Sequence, residues 1–111
     1  MVKIKDNKIT ITQGDTLETK LSIFMSNGDP YEPSSDDVIR FAVKSDYSDP
    51  SPIIRKVIPN DTLVLRLESS ETKLLSARKK AYVYDIEITM ANGNVDTFID
   101  RMPLYVTEEV D

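Results

Sequence analysis

Apolar and polar side chains alternate along most of this chain with a period of two residues. A period of two places successive side chains on opposite faces of a β-strand, so each alternating segment predicts a strand with one buried face. The apolar positions comprise Ile9 and Ile11; Leu17, Leu21, Ile23 and Met25; Ile39, Phe41 and Val43; residues 53–58; Leu63, Leu65 and Leu67; Tyr82, Tyr84, Ile86, Ile88 and Met90; and, in a last strand beyond Pro103, Leu104 and Val106.

Turn-forming residues separate these predicted strands. Residues 26–30 read SNGDP, and Asn92-Gly93 interrupts the longest alternating run. Asn and Gly tolerate positive φ, and Pro fixes its own φ, so both sequences are typical of tight turns. The polar residues 45–52 and the Pro-Asn-Asp of residues 59–61 predict two further breaks.

One short helical turn is predicted over residues 69–76, SSETKLLS. Ser69 or Ser70 is suited to cap the free N–H groups, and Glu71 lies in the first turn, where a carboxylate is favourable. Leu74 and Leu75 are expected to cover one end of the core.

About seven or eight short strands with turns at this spacing predict an all-β fold, an antiparallel β-sandwich. We expect a single domain over residues 1–111, since no stretch has the composition of a linker. The side chains expected between the two sheets are Leu21, Ile23, Ile39, Phe41, Val43, Leu65, Tyr84, Ile86 and Ile88.

The composition excludes several kinds of chemistry. The chain has no cysteine, which excludes disulfides and thiolate metal sites, and no histidine, which excludes His-based catalytic triads and His-ligated zinc. The 14 basic and 19 acidic residues give a formal net charge of −5, which argues against nucleic acid as a partner. The basic run Arg78-Lys79-Lys80 is interpreted as a solvated loop.

Nothing in the sequence indicates a membrane partner. No apolar run approaches the ~20 residues that span a bilayer. The N-terminal MVKIKDNKITI lacks the apolar centre of a secretory signal. We therefore expect a soluble protein that is made and kept inside a cell.

Two groups of acidic residues are candidates for a site. Residues 45–51, SDYSDPS, are the closest match to a calcium loop, but they lack its glycine and distal glutamate and are interpreted as turn formers. Asp85 and Glu87 share a strand face at a separation of about 7 Å, within the range of a glycosidase pair. Because they lie opposite the apolar face, we interpret them as solvated and paired with a lysine across the sheet.

Tyr82 and Tyr84 are candidates for an aromatic platform that binds a sugar or a base. Their aliphatic neighbours Ile86 and Ile88 favour core packing instead, with one hydroxyl bonded to an adjacent loop. We therefore predict no catalytic, cofactor-binding or metal-binding residues and no cofactor.

The run that ends at Met90 and the return strand after Asn92-Gly93, with Val95, Thr97 and Ile99 on one face, predict a long β-hairpin. Its polar face is predicted to build a surface and consists of Val83, Asp85, Glu87 and Thr89.

Six short motifs occur together in this chain: Gly14-Asp15-Thr16, residues 41–44, Thr72 with Leu75, residues 82–86, residues 97–99, and residues 106–110. With them the chain resembles the small immunoglobulin-like proteins encoded among tail genes of phages and prophages of Gram-positive bacteria. It is also similar to the N-terminal domain of the phage upper baseplate protein family. The resemblance covers almost the whole chain. Upper baseplate proteins continue into a further domain, whereas this chain stops after Asp111.

The resemblance implies an immunoglobulin-like sandwich and a non-enzymatic structural or adaptor protein of the phage tail or baseplate. It would be made in the cytoplasm of the bacterial host and incorporated into the virion. Its partners would be other phage structural proteins or further copies of itself in a homo-oligomer. We expect them to dock at strand edges near the first strand and near Pro103.

Two alternatives are left open. A carbohydrate-binding module for a host cell-surface glycan would need exposed aromatic rings, although tryptophan is absent. A hydrolase that uses carboxylates alone would need an acid in an apolar pocket.

Overall fold

The computed structural model describes residues 2–5, 8–24, 29–46, 48–79 and 81–108. Within these residues the chain forms eight strands and two short helical turns, which confirms the all-β class. The strands are β1 (Val2–Lys5), β2 (Lys8–Thr12), β3 (Leu17–Lys20), β4 (Val38–Lys44), β5 (Ile54–Ile58), β6 (Val64–Leu67), β7 (Ala81–Thr89) and β8 (Val95–Thr107). The helical turns are α1 (Ser69–Thr72) and a 3-10 turn (Ala77–Lys79).

The strands form two sheets that face each other. The large sheet has six strands in the order β1-β2-β8-β7-β4-β5, and the small sheet pairs β3 with β6. In an immunoglobulin-like sandwich the neighbours B and E form one sheet and C′, C, F and G the other, which is the arrangement of β3-β6 and β5-β4-β7-β8 here.

One pairing departs from the predicted antiparallel arrangement. β2 runs parallel to β8, with Ile9 opposite Leu104 and Val106 opposite Ile11, whereas the other pairs in the described sheets are antiparallel. Periodicity reports which face of a strand is buried but not the direction of its neighbour, so the sequence pattern could not reveal this exception.

The core lies between the sheets and contains every predicted core side chain except Leu21, which is partly buried at its margin. β3 ends at Lys20, so Leu21 leaves the strand register, and its N–H donates to the carbonyl of Leu63 at 2.8 Å. Met25 lies outside the described residues. The buried apolar side chains are Ile9, Ile11, Leu17, Ile23, Ile39, Phe41, Val43, Ile54, Ile58, Leu65, Leu67, Leu75, Tyr82, Tyr84, Ile86, Ile88, Leu104 and Val106.

The hairpin predicted at Asn92-Gly93 is present. Met90 donates its N–H to the Asn94 carbonyl at 2.8 Å, and Gly93 has a φ of 88°, which suits a glycine. The return strand β8 continues through Pro103 to Thr107, so the separate last strand predicted beyond Pro103 is wrong. The β7-β8 register shifts on either side of Ile86, which is a β-bulge or a related irregularity.

The helical turn is present, but the predicted serine N-cap is wrong. Glu68 rather than a serine occupies the N-cap position of α1. The Glu71 carboxylate accepts the Glu68 N–H at 2.9 Å, so it supplies a partner at the start of the helix. Leu75 is fully buried as predicted, whereas Leu74 is 61% exposed.

A tyrosine hydroxyl ties this turn to the sheet. The hydroxyl oxygen of Tyr82 accepts the Ser76 N–H at 2.8 Å. Ser76 lies between α1 and the 3-10 turn, on the connection from β6 to β7. This is the corner-type bond expected of a sandwich, and it confirms that Tyr82 is a core residue with a bonded hydroxyl.

Two of the motifs behind the family resemblance contact each other. The Thr72 hydroxyl donates to the Asp15 carbonyl at 2.8 Å, and Gln13 Nε2 donates to the Lys73 carbonyl at 3.5 Å. Thr72 is fully buried. These contacts join α1 to the turn between β2 and β3, so both motifs have a structural role in the sandwich.

Two predicted features lie partly or wholly outside the described residues. Residues 25–28 include most of the predicted SNGDP turn, which is flanked by an isolated antiparallel bridge between Phe24 and Pro30. Residues 109–111 contain the end of the acidic tail. Neither helical segment of the described chain is long and apolar enough to cross a membrane.

Candidate functional site

A shallow depression of about 450 Å³ lies on the outer face of the large sheet, over β4, β5 and β7. We call it the outer depression. It is lined by Arg40, Phe41, Ala42, Lys44, Pro52, Arg55, Lys56, Val57, Asp85 and Glu87.

Strand register brings the charged residues of the outer depression together. Arg40 lies opposite Val57 on one side and opposite Glu87 on the other. Ala42, also on β4, lies opposite Arg55 of β5 on one side and opposite Asp85 of β7 on the other. These positions alternate with the buried side chains of the same strands, so they share the face that points away from the core.

The charges in the outer depression are not balanced. Arg40 Nη1 lies 3.9 Å from the Glu87 carboxylate and donates to the Thr89 hydroxyl at 3.0 Å. Both side chains of the ion pair are about half exposed, so the pair contributes little to stability. Lys44 and Arg55 have no carboxylate partner among the residues that the structure describes. This part of an acidic protein therefore presents two unpaired cations.

The outer depression reaches the edge of the sheet at β5. β5 pairs with β4 alone and is the last strand of the large sheet. Val57 on this strand is 64% exposed. An edge strand leaves every second N–H and C=O without a ladder partner, which makes it a template for another strand.

On the core side of the same edge, β5 is joined to α1 by an ion pair. Lys56 Nζ lies 2.5 Å from the Glu71 carboxylate, which also caps α1. Burial opposes ionisation of Glu71, but the Glu68 N–H and the Lys56 ammonium outweigh it and lower the pKa of the Glu71 carboxyl. Glu71 therefore remains charged and pairs with Lys56, which is one of the residues that line the outer depression.

The predicted carboxylate pair belongs to this surface. Asp85 and Glu87 line the outer depression on the solvent side of β7, as expected. The cross-strand partner of Glu87 is Arg40 rather than a lysine. Both carboxylates lie on the solvent side of the sheet rather than in an apolar pocket of the kind that holds a general acid. The arrangement is suited to binding a polar partner.

The two tyrosines do not form a platform. Tyr82 and Tyr84 are both buried, and the ring of Tyr84 lies 5.6 Å from that of Phe41 between centroids. Burial raises the pKa of Tyr84 to about 12. Among the described large apolar side chains, the exposed aromatics are Phe24 at 58% and Tyr105 at 39%, on separate parts of the chain.

The acidic loop forms turns. Asp46 Oδ1 accepts the Ser48 N–H at 3.4 Å, and Asp49 Oδ1 accepts the Ser51 N–H at 3.0 Å. Within the described ranges, no three acidic side chains are grouped so that they could hold a metal ion. Both aspartates therefore stabilise turns by accepting a hydrogen bond from a backbone N–H two residues further along the chain.

A buried carboxylate that sequence reasoning missed lies at the start of β4. Asp37 is 4% exposed, and its Oδ2 accepts the Tyr31 hydroxyl at 2.6 Å and the Ser34 N–H at 2.9 Å. The Tyr31 hydroxyl and then the Ser34 N–H hold the pKa of Asp37 below its ordinary value. Asn60 Nδ2 donates to the Asp37 carbonyl at 2.9 Å. This network joins the loop before β4 to the turn that follows β5.

Of the two strand edges that the sequence predicted, one is present and one is not. β1 is an edge of the large sheet, as expected for the first strand, but Pro103 lies in β8 between β2 and β7. The β2 ladder begins only at Leu104, so no bond on that side needs an N–H from Pro103. The second edge is β5, where Arg55 and Lys56 interrupt an apolar strand flanked by prolines. Charge and proline of this kind are the sequence signals of an edge.

No protein-family model and no curated protein matches the chain.

Proposed function

We propose that this protein is a non-enzymatic structural or adaptor component of a phage particle, of the tail or baseplate, that works through protein–protein contacts. The family resemblance in the sequence motifs supports the phage context. The outer depression, continuous with the open edge of β5, is the observation that carries the mode of action.

The chemistry of the outer depression supports binding rather than catalysis. Arg40, Arg55 and the exposed Val57 are on one face, next to an unpaired strand edge. Arginine is one of the residues enriched in protein interfaces and their hot spots. The rigid sandwich beneath holds these side chains at fixed spacing, which reduces the entropy lost on docking.

A glycan-binding function has weaker support. Its strongest candidates were Tyr82 and Tyr84, and both rings are in the core. The aromatic side chains exposed in the described chain, Phe24 and Tyr105, are not among the residues that line the outer depression.

The proposal is tested in particles of the phage or induced prophage that encodes the protein. We expect its peptides in gradient-purified particles at a fixed ratio to the tail proteins, and defective tails when the gene is deleted. A plasmid copy should restore the tails. A protein that is absent from particles, dispensable for tail assembly and strictly monomeric by light scattering would contradict the proposal. Saturable glycan binding by calorimetry would favour the carbohydrate-binding alternative.

A further inference from the structure

We propose that the β5 edge and the adjoining outer depression bind an extended, acidic segment of another protein by strand addition. The inference rests on the proposed function, because it names the surface and the partner chemistry through which the adaptor acts.

The backbone of β5 supplies the docking geometry. β5 has a single neighbour in the sheet, so alternate N–H and C=O groups along it are available to a further strand. An added strand would place every second side chain on the outer face, beside Arg55 and Val57. Its position is fixed by the hydrogen-bond ladder, and its sequence is selected by these neighbours.

The charges select an acidic strand. Arg55 is exposed on β5, and Lys44 lies on the same face of the adjacent strand β4, diagonal to Arg55. Neither has a carboxylate partner in the described part of the chain. Opposite charges in cross-strand positions stabilise a sheet, and like charges destabilise it. A carboxylate opposite Arg55 on the added strand would form a second cross-strand ion pair, like the one between Arg40 and Glu87.

The same charges disfavour a second copy of this chain at the edge. Pairing β5 with β5 of another copy would bring the Arg55 side chains of the two copies close together without a carboxylate between them. The other edge of the large sheet, β1, has the sequence Val-Lys-Ile-Lys and is also basic. Edge-to-edge association of copies through the large sheet is therefore opposed, whereas an acidic strand of a different protein is accepted.

Val57 adds an apolar contact to this pattern. It is 64% exposed and lies two residues from Arg55 on the same face. A partner strand with an apolar residue two positions from its carboxylate would cover Val57 while it pairs with Arg55. The preferred segment therefore alternates acidic and apolar residues on one face.

The probe is a fluorescein-labelled synthetic nonapeptide in which glutamates lie on one face together with a valine, and threonines lie on the other. Fluorescence anisotropy measures its binding to the full chain. One control peptide replaces glutamate with lysine. Two further peptides keep the acidic sequence and are N-methylated at alternate residues, one at the odd positions and the other at the even positions. Each therefore lacks the backbone N–H donors along one edge, and its charge is unchanged. We expect saturable binding of the acidic peptide, none of the lysine peptide, and loss of binding for one N-methylated register only.

Charge-reversal variants locate the site. We expect Arg55→Glu and Lys44→Glu each to weaken binding by about tenfold, and the wild-type affinity to fall as salt rises. Lys20→Glu is the matched control, because Lys20 is an exposed cation on β3 of the small sheet. Its effect should stay below about twofold. Amide shifts in an NMR titration should concentrate at Arg55 and Val57, and an unchanged spectrum elsewhere shows that each variant is folded.

Each outcome decides the inference. No saturation by about 1 mM peptide, equal loss in Lys20→Glu, or shifts at β1 or β3 instead of β5 would overturn it. If the protein is present in phage particles but does not bind the peptide, the proposed function stands and this docking mode is wrong. If the peptide binds at β5 but particles lack the protein, the docking mode stands and the phage assignment is wrong.

Discussion

Phe41 is the side chain whose removal should destabilise the sandwich most clearly. It lies at the middle of β4, its exposure is 0%, and its ring contacts Tyr84 with a centroid separation of 5.6 Å and an interplanar angle of 40°. Phe41→Ala removes the ring from between the two sheets and leaves a cavity that the flanking strands, held by ladders on both sides, cannot close.

The expected loss follows from these contacts. Truncating a fully buried phenylalanine costs about 3–5 kcal/mol of unfolding free energy, and loss of the aromatic pair accounts for about 0.5–1.5 kcal/mol of it. The whole domain is stable by about 5–15 kcal/mol, so the variant should remain folded in water with a small margin.

Urea unfolding followed by circular dichroism measures the effect. With a slope of about 1–2 kcal/mol per molar urea, the midpoint should fall by about 1.5–5 M while the slope stays unchanged. Phe24→Ala is the matched control, because the ring of Phe24 is 58% exposed, and it should shift stability by no more than about 0.5 kcal/mol. A loss below about 1.5 kcal/mol for Phe41→Ala, or one no larger than that of the control, would refute the packing described for the core.

Three further predictions concern hydrogen bonds, acid and metal. Tyr82→Phe removes the acceptor of the Ser76 N–H and should cost about 0.5–1.5 kcal/mol in the same assay, with Tyr105→Phe as an exposed control that has little effect. The pKa of Asp37 is lowered in the folded state, so its contribution is present above its unfolded value of about 4 and is lost as pH falls through the folded value. Stability measured from pH 6 to pH 2 should therefore fall less steeply in Asp37→Asn, and parallel profiles would contradict this reasoning. Thermal melts with and without a strong chelator should coincide, and a large drop in melting temperature on chelation would show a structural metal.

The buried faces of the strands could be predicted because they are a local property. The alternation of Ile39, Phe41 and Val43, and of Tyr84 and Ile86, fixes one side of each strand whatever its neighbours are, and all five side chains are buried. The Asn92-Gly93 turn was equally local, because its φ preference is set by the residues themselves.

Strand ends and strand neighbours could not be predicted in the same way. Leu63 continues the alternation of Leu65 and Leu67, yet its φ is 56°, so it turns out of register and β6 begins at Val64. Pro103 has the local character of an edge residue, but its strand is central because distant segments pair on both sides of it. These outcomes depend on long-range pairing, which period alone does not contain.

The sequence predicted the position of the carboxylates of the candidate site but not that of its cations. Asp85 and Glu87 were placed on the outer face by alternation, as the structure has them. Arg40, Lys44 and Arg55 come from two other strands, and only the register of those strands brings them beside the carboxylates. The periodicity of a single strand does not indicate which strands are its neighbours, so it cannot predict a charged surface to which three strands contribute.

The parallel pairing of β2 with β8 also sets an order of events in folding. Thr12 and Thr107, whose hydroxyls lie 3.1 Å apart, are separated by 95 residues in the chain. At about 5–20 residues per second of synthesis, β2 leaves the ribosome about 5–20 s before β8 can join it. During that interval the β8 partners of Ile9 and Ile11, Leu104 and Val106, have not yet been added to the sheet. Closure of this pair completes the large sheet as a late, non-local step, and its loop-closure entropy slows the folding of the whole domain.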